Sequence, residues 1–243
     1  NQTVERSPYG AIVTTIKNIM VNVDTVYQKV LTIANKEQRG YITPLEFNLL
    51  ASQAQMEIFN NYFVEMIQLK AIPGNESEYS DAIKTLNEKI SIFKKKSTSL
   101  TFTSNFFKYP SDLYKLGTVY FASTDLLTDG VEVQEITDDE LLDYHNSPLT
   151  SPTTKRPMYI RREDDIKVFP NTITSGITCS YIRRPVKPSW GYVVVNEQAL
   201  YNASTAQDFE LHASEETTLV LKILGLAGVV MQKQDIAAIG QQA

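Results

Sequence analysis

Residues 90–106, Ile-Ser-Ile-Phe-Lys-Lys-Lys-Ser-Thr-Ser-Leu-Thr-Phe-Thr-Ser-Asn-Phe, contain the point at which the hydrophobic period of the chain changes. Before this point, apolar residues follow in steps of four and three, which predicts a helix that packs against another helix; they are Tyr79, Ile83, Leu86, Ile90 and Phe93. Lys94–Lys96 suit the last turn of that helix, because cations stabilise the negative end of its dipole. After Ser97, positions 100, 102, 104 and 106 alternate with polar neighbours, which predicts a half-buried strand.

Two further helices are predicted on the N-terminal side of this point. The stretch 12–34 carries apolar residues three and four positions apart, which places them on one helical face. The tetrapeptide TPLE at 43–46 is a helix start, because its threonine can cap free amides, its proline fits the first helical position and its glutamate completes a capping box. We expect this helix to run to about residue 71, before the Pro-Gly pair at 73–74.

The C-terminal side of the same point is predicted to be rich in strands. Runs of β-branched and aromatic residues predict strands at 118–121, 131–136, 158–162, 166–169 and 177–184, the third and fourth joined as a hairpin through the acidic turn 163–165. A second capping box at 137–140 opens a short helix to about His145, and the Pro/Ser/Thr-rich stretch 146–157 is predicted to be an exposed loop. The last helix is predicted to be capped by Ser214 and to carry an apolar stripe; the stripe is Leu219, Ile223, Leu226 and Val230.

This order of elements predicts an α+β fold, with an N-terminal helical bundle, a β-rich middle lobe and a C-terminal helix that returns to the bundle. We divide the chain into a helical region 1–96, a β-rich lobe 97–195 and a C-terminal helical segment 196–243. The last segment is expected to pack on the first region, so that the whole chain forms one composite domain.

Composition excludes several classes of protein. The chain has 243 residues, of which 42% are hydrophobic, so a core can be buried. A net charge of -5 argues against DNA binding by the surface as a whole. Cys179 is the only cysteine, which excludes an intrachain disulfide and suits a reducing cytoplasm. The longest apolar stretch, 219–231, contains Lys222 and is too short to cross a bilayer. Asn1 is an unusual first residue, which indicates N-terminal processing or residues missing ahead of it.

One stretch shares features with a calcium-binding EF-hand loop. Within residues 35–47, Gly40, Ile42 and Glu46 fall where such a loop places its glycine, its apolar residue and its bidentate glutamate. Arg39, however, occupies a position that requires an oxygen ligand, and Pro44 lies inside the loop. We therefore interpret the stretch as a tight corner between two helices without a metal ion, and a calcium-responsive module remains the less favoured alternative.

The residues most often used in catalysis are few and scattered. Two histidines, His145 and His212, and one cysteine cannot by themselves form a structural zinc site, and Cys179 lies in an alternating strand that favours a buried thiol. The acidic clusters 138–143 and 163–165 could serve a hydrolase, but their capping and turn patterns favour a solvated face. No nucleophile elbow, phosphate-binding loop or dinucleotide fingerprint is present in the sequence. We predict a protein that is not an enzyme, with no catalytic, cofactor-binding or metal-ligating residues.

Paired arginines lie on two of the predicted strands, Arg161 with Arg162 and Arg183 with Arg184. Neighbours on a strand point to opposite faces, so one of each pair should be exposed. Exposed arginine suits an interface with an acidic protein, contact with DNA phosphates, or plain solubility, and the sequence leaves these three open.

An ordered set of motifs resembles one family of virion proteins. The stretch 35–48, followed by Ala54-Gln55 and Phe59, resembles the N-terminal helical region of ring, or adaptor, proteins near the portal of short-tailed, crAss-like bacteriophages. Further similar pieces are Tyr109-Pro110 with Asp112-Leu113-Tyr114, Arg156-Pro157 with Tyr159-Ile160, Tyr181-Ile182-Arg183-Arg184-Pro185 with Trp190, and Ser214-Glu215-Glu216. Together they cover most of the chain from about Asp24 onward.

This resemblance implies a structural protein of the virion rather than an enzyme. It implies a homo-oligomeric head-to-tail connector ring below the portal, usually a dodecamer, which provides a passage for DNA and a docking surface for tail components. The implied partners are copies of the chain, the portal protein and adjacent ring or tail proteins, with DNA only as passing cargo and no membrane. Another tail structural protein, such as a fibre-attachment or tail-hub subunit, is the alternative that the sequence does not separate from a ring.

Overall fold

The computed structural model describes residues 20–36, 42–71, 77–97, 99–122 and 130–230 of the chain. Within these residues there are five α-helices and eleven strands, with helices towards both ends and a β-rich middle, which confirms the predicted α+β class. Contacts along the chain divide it into two compact units, residues 1–92 with 185–243 and residues 93–184. Each unit is described in turn below.

The elements follow one another in chain order as helical, β-rich and again helical. The helices are α1 (Val23–Lys36), α2 (Pro44–Ala71), α3 (Ser77–Ser91), α4 (Asp138–Asn146) and α5 (Glu216–Val230). The strands are β1 (Lys94–Lys96), β2 (Thr101–Thr103), β3 (Phe106–Lys108), β4 (Leu113–Phe121), β5 (Val131–Glu132), β6 (Gln134–Ile136), β7 (Met158–Arg161), β8 (Asp165–Phe169), β9 (Ile177–Arg183), β10 (Tyr192–Val195) and β11 (Gln198–Tyr201).

The first unit is built around the long helix α2. The C-terminal helix α5 packs against both α1 and α2, and α3 packs against α2. Leu219 and Ile223 of α5 are fully buried, in keeping with a helix that is apolar on most of its sides. The rest of this core is supplied chiefly by apolar residues of α1 and α2: Val23, Val26, Tyr27, Val30, Phe47, Ala51, Ile58 and Phe59.

A buried polar side chain, Gln55, holds two C-terminal segments against α2. Its Nε2 donates to the carbonyl of Val186 at 2.8 Å, and its Oε1 accepts from the backbone N–H of Glu210 at 3.0 Å. The Glu210 carboxylate in turn accepts from the N–H of Val186 at 2.7 Å. Buried polar groups need such partners, so these bonds fix the path of the chain on both sides of 186–210.

The predicted start of α2 is confirmed. The Glu46 carboxylate accepts from the Thr43 N–H at 2.9 Å and from the Thr43 hydroxyl at 2.8 Å, and the Glu46 N–H donates to Thr43 Oγ1 at 3.3 Å. These bonds, the backbone one first, hold the pKa of Glu46 below its usual value. Of the helix predicted at 12–34, residues 12–19 lie outside the described residues, and α1 begins at Val23.

Two predicted helix boundaries are wrong. Lys94–Lys96 form strand β1 instead of the last turn of a helix, and α3 ends at Ser91. Pairing of β1 with β9 in a sheet decides this conformation, which the local charge pattern cannot report. Ser214 does not cap the last helix, because His212 caps a short 3₁₀ turn and α5 begins at Glu216. The chain is still extended at His212, where it bridges to Met20.

The second unit consists mainly of two sheets. One has the strand order β1-β9-β4-β5, with every neighbouring pair antiparallel. The other has the order β2-β3-β8-β7-β6, in which only β6 and β7 are parallel. Side chains from both sheets form one core, which includes Leu100, Phe107, Leu116, Val119, Val133, Tyr159, Ile166, Val168, Ile177 and Cys179.

Local signals in the second unit are read correctly at two places and wrongly at one. The predicted hairpin around the acidic turn is confirmed as β7 and β8, and the predicted capping box of α4 is confirmed at Thr137 and Glu140. The stretch 100–106 is two strands rather than one, because Ser104 and Asn105 have positive φ angles of 53° and 71° and reverse the chain between β2 and β3.

Candidate interaction surfaces

Cys179 is held in a structural environment rather than beside a histidine. The residue is fully buried in β9, its backbone N–H donates to Ser97 Oγ at 2.9 Å, and its thiol lies 3.6 Å from the same hydroxyl. Burial raises the pKa of the thiol, and the Ser97 hydroxyl offsets this only in part. A thiol with a raised pKa is a poor nucleophile, so the contacts of Cys179 favour a role in packing.

The two histidines serve local structure at separate places. His145 lies in the last turn of α4 and packs edge-on against Phe169 with ring centroids 6.0 Å apart. His212 uses Nδ1 to accept from the backbone N–H of Ser214 at 3.3 Å. No group of three His, Cys, Asp or Glu side chains that could hold a metal ion occurs among the described residues.

The acidic clusters also have structural explanations. Helix α4 buries none of its residues, and Glu140 accepts from the Thr137 N–H at 2.8 Å, which completes a cap. The second cluster, 163–165, forms the turn between β7 and β8, and Glu163 and Asp164 are exposed. In the EF-hand-like stretch, residues 37–41 lie outside the described residues, and the Glu46 carboxylate is engaged by Thr43.

Two of the four arginines stack on aromatic rings. The Arg162 guanidinium lies 5.2 Å from the centre of the Phe106 ring, and that of Arg183 lies 5.8 Å from the centre of the Phe93 ring. Arg161 and Arg162 are both exposed, because β7 ends at Arg161 and the alternation of faces stops there. Arg184 is exposed and Arg183 is half-buried. These contacts account for position and leave the three possible roles of the arginines as they were.

The most unusual surface is a hairpin, β10–β11, which the sequence analysis did not find. Its register pairs Tyr192 with Tyr201 and Val194 with Ala199 on one face, and Val193 with Leu200 and Val195 with Gln198 on the other. Six of its side chains are large, apolar and between 37% and 65% exposed. A half-buried ribbon normally has one apolar face and one polar face, whereas both faces of this hairpin are apolar.

The base of the hairpin is fixed by Trp190, which is itself buried. The indole stacks on Tyr192 with ring centroids 5.9 Å apart, lies 5.7 Å from the Tyr201 ring, and packs at 4.3 Å against Tyr27 of α1. Its Nε1–H donates to Asp24 at 2.9 Å. The ring therefore connects the hairpin to the start of α1.

Backbone contacts fix the same base against α2. The N–H of Trp190 donates to Oδ1 of Asn48 at 2.7 Å. At the next residue, Gly191, a side chain cannot be accommodated, since a Cβ would lie 2.4 Å from the Thr205 hydroxyl and 2.6 Å from the N–H of Ala206. The hairpin therefore leaves the unit from a rigid, closely packed base.

A second unpartnered apolar surface lies on α2. This helix carries apolar residues on most of its sides; one side faces the core, while Leu45 and Leu49 near its start and Val64 and Ile67 near its end are exposed. Leu49 is 67% exposed and Ile67 is 68% exposed. Each pair is three or four residues apart, so its members lie on the same face of the helix.

The β1 edge of the second unit shows how this chain treats an edge strand elsewhere. Strand β1 is the edge of its sheet and consists of three exposed lysines. Lysines on an edge strand prevent pairing with other chains. The hairpin has no lysine, and its one charged residue is Glu197 in the turn. Of these two edges, one is therefore protected and the other is open to a partner.

Comparison with known proteins does not assign the chain to a family, because no protein-family model matches it and no curated protein is similar to it. Among the described residues, no helix is long and apolar enough to cross a membrane. The functional inference therefore depends on the surfaces described above and on the resemblance of the motifs.

Proposed function

We propose that this protein is a structural subunit of a larger assembly, in which neighbouring subunits cover its apolar surfaces. The observation that carries the proposal is the hairpin β10–β11, whose two faces are both apolar and both exposed in a single copy. Contiguous apolar surface of this kind marks an interaction site in soluble proteins, because water is otherwise ordered around it at a cost of about 25 cal/mol per Å².

The specific assembly that we propose is the head-to-tail connector of a short-tailed, crAss-like bacteriophage. In this assembly the chain forms a ring below the portal protein, provides a passage for DNA and presents a docking surface for tail components. The ordered set of motifs that resembles connector ring proteins supports this choice. The expected partners are further copies of the chain, the portal protein and adjacent ring or tail proteins, all within the virion.

The roles of the potentially reactive side chains support a structural function over a catalytic one. Cys179 is bonded to Ser97, His212 caps a 3₁₀ turn, and Glu140 completes a capping box. Each of these groups has a partner that explains its position without a substrate.

A ring places a geometric demand on its subunit that this chain meets. Ring closure needs heterologous contacts, in which two different surfaces of one subunit are complementary. The first unit offers two apolar surfaces of different shape, a protruding ribbon and the exposed face of a helix. This pairing favours a cyclic assembly over a two-fold dimer, which uses the same patch twice.

The test is the location and copy number of the polypeptide in purified particles. Mass spectrometry of phage particles should detect it in a fixed ratio to the portal protein, and electron microscopy should place it as a ring directly below the portal. The portal protein is the internal reference for both measurements. Absence from purified particles would reject the proposal, whereas density at the tail hub or at the fibres would replace the connector with another tail structural role.

A further inference from the structure

We infer that the hairpin β10–β11 of one copy docks on the C-terminal end of α2 in a second copy, around Val64 and Ile67. The inference rests on the proposed function, because it specifies the contact by which neighbouring subunits of the ring meet. It commits to one occupant, a second copy of this chain, and to one surface on that copy.

The hairpin needs an occupant that covers two faces. A two-stranded ribbon is marginally stable in water by itself, and this ribbon exposes Val194 on one face and Val193, Val195 and Leu200 on the other. An apolar partner that contacts only one face would leave the other in water. The partner surface must therefore be apolar and must extend to both sides of the ribbon.

The hairpin is also held ready for binding. Trp190 stacks on Tyr192 and is bonded to both Asp24 and Asn48, and Gly191 allows the closest approach of the chain to Thr205. A preorganised element loses little conformational freedom when it binds, so more of its apolar contact is available as affinity. The contrast with the lysines of β1 indicates that the exposed edge of the ribbon is kept open for a partner.

The same chain carries a suitable apolar surface, and its distance from the hairpin requires a second copy. The hairpin base is bonded to Asn48, and Ile67 lies about 28 Å further along α2 at 1.5 Å per residue. The strands of the hairpin have four residues each and extend about 14 Å. The hairpin therefore cannot reach the end of its own helix, whereas the hairpin of a neighbour can.

The area of the contact also favours repeated copies over a single pair. A stable contact buries roughly 800 Å² on each partner, from about 20–30 residues. The hairpin spans ten residues, from Tyr192 to Tyr201, so one such contact is weak. In a closed ring every copy uses its hairpin on one side and its helix end on the other, and the contacts then stabilise one another through a high effective concentration.

The first experiment measures self-association of the full chain by sedimentation velocity at micromolar concentration. Val194→Lys and Ile67→Lys each place a cation at an exposed position of one surface, as β1 does naturally, and the fold is checked by circular dichroism. Leu142→Lys on α4 is the matched control, because Leu142 is also an isolated exposed leucine, at 68%. We expect either surface variant to raise the dissociation constant about tenfold or more and the control to leave it unchanged.

A mixing experiment tests whether the two surfaces meet each other. Val194→Lys chains retain an intact helix end, and Ile67→Lys chains retain an intact hairpin. A mixture of the two should form pairs and no larger species, since one intact contact remains between unlike chains. If the hairpin instead bound a different protein, both variants would associate like the wild type, and the inference would be overturned.

Disulfide trapping gives a second readout. Chains with Val194→Cys and chains with Ile67→Cys should cross-link when mixed and oxidised, while the native Cys179 stays unreactive because it is buried. Cross-linking of Val194→Cys chains to themselves would show that hairpins meet hairpins, and a wild type that is monomeric at these concentrations would show that copies do not meet; either result overturns the inference. The proposed function fails separately, through absence of the chain from purified particles.

Discussion

The indole Nε1–H of Trp190 donates a 2.9 Å hydrogen bond to Oδ1 of Asp24, although 166 positions separate the two residues in the sequence. Asp24 lies in the first turn of α1, where a carboxylate also stabilises the positive end of the helix dipole. The bond therefore joins the N-terminal helix to the base of the apolar hairpin, and it is formed in a setting where Trp190 is almost completely buried.

Removal of the indole donor should weaken this junction. Trp190→Phe keeps an aromatic ring but leaves Asp24 without its donor, so we expect a loss of about 1–3 kcal/mol in the free energy of unfolding. Asp24→Asn is the comparison, since the amide oxygen can still accept the bond and should cost less. Urea unfolding measures both, and equal losses for the two variants would show that packing, not the hydrogen bond, holds the junction.

A partly buried ion pair in the first unit should matter more than an exposed one. Lys89 of α3 pairs with Glu215, and its ammonium lies 5.8 Å from the centre of the Tyr62 ring. Lys89→Met leaves the Glu215 carboxylate with little solvent and without this partner, which should cost about 1–3 kcal/mol of stability. Lys84→Met is the matched control, because the Lys84–Asp81 pair is exposed and should contribute less than about 0.5 kcal/mol. Similar losses for both variants would contradict this reading.

Elements with a local signal could be predicted from the sequence, and those fixed by distant contacts could not. Thr43 with Glu46 and Thr137 with Glu140 form reciprocal bonds within four residues, so their capping boxes are visible in the sequence alone. Lys94–Lys96 resemble the end of a helix locally, but pairing with β9, whose residues are more than eighty positions away, makes them a strand. The competing contact does not leave a mark in the local pattern.

The hairpin escaped sequence analysis for a reason connected with its role. Strands are recognised by alternation of apolar and polar residues, and Tyr192–Val195 lacks it because both faces are apolar. The turn Asn196-Glu197 also lacks the glycine that usually marks a two-residue hairpin. A usable signal was the run of three valines before an asparagine, which has high strand propensity and no charge.

The Cys179 thiol should react slowly and only at raised pH. Its pKa is raised by burial, so at a given pH less thiolate is present than for a free cysteine, whose pKa is about 8.5. The rate of reaction with Ellman's reagent should therefore be low at neutral pH and should still be rising above pH 8.5. The same protein in urea provides the control and should react at the rate of a free thiol. Rapid reaction of the folded chain near pH 7 would revive the nucleophile hypothesis for Cys179.

The turn of the hairpin offers a test of preorganisation without a change in the apolar faces. Asn196 and Glu197 both have positive φ angles, 49° and 63°, a conformation that disfavours residues with a Cβ other than Asn and Asp. Glu197→Gly should remove a cost of about 1 kcal/mol and slow hydrogen exchange at the amides of β10 and β11.

The opposite change, Glu197→Val, places a β-branched residue in the same conformation and should speed exchange at those amides. If the hairpin binds as a preformed ribbon, the glycine variant should associate at least as tightly as the wild type and the valine variant more weakly. Gln198→Gly provides the control, because a glycine just after the turn removes strand propensity without relieving the strain. Equal affinity of the two Glu197 variants, measured by sedimentation velocity, would show that the ribbon folds only on its partner.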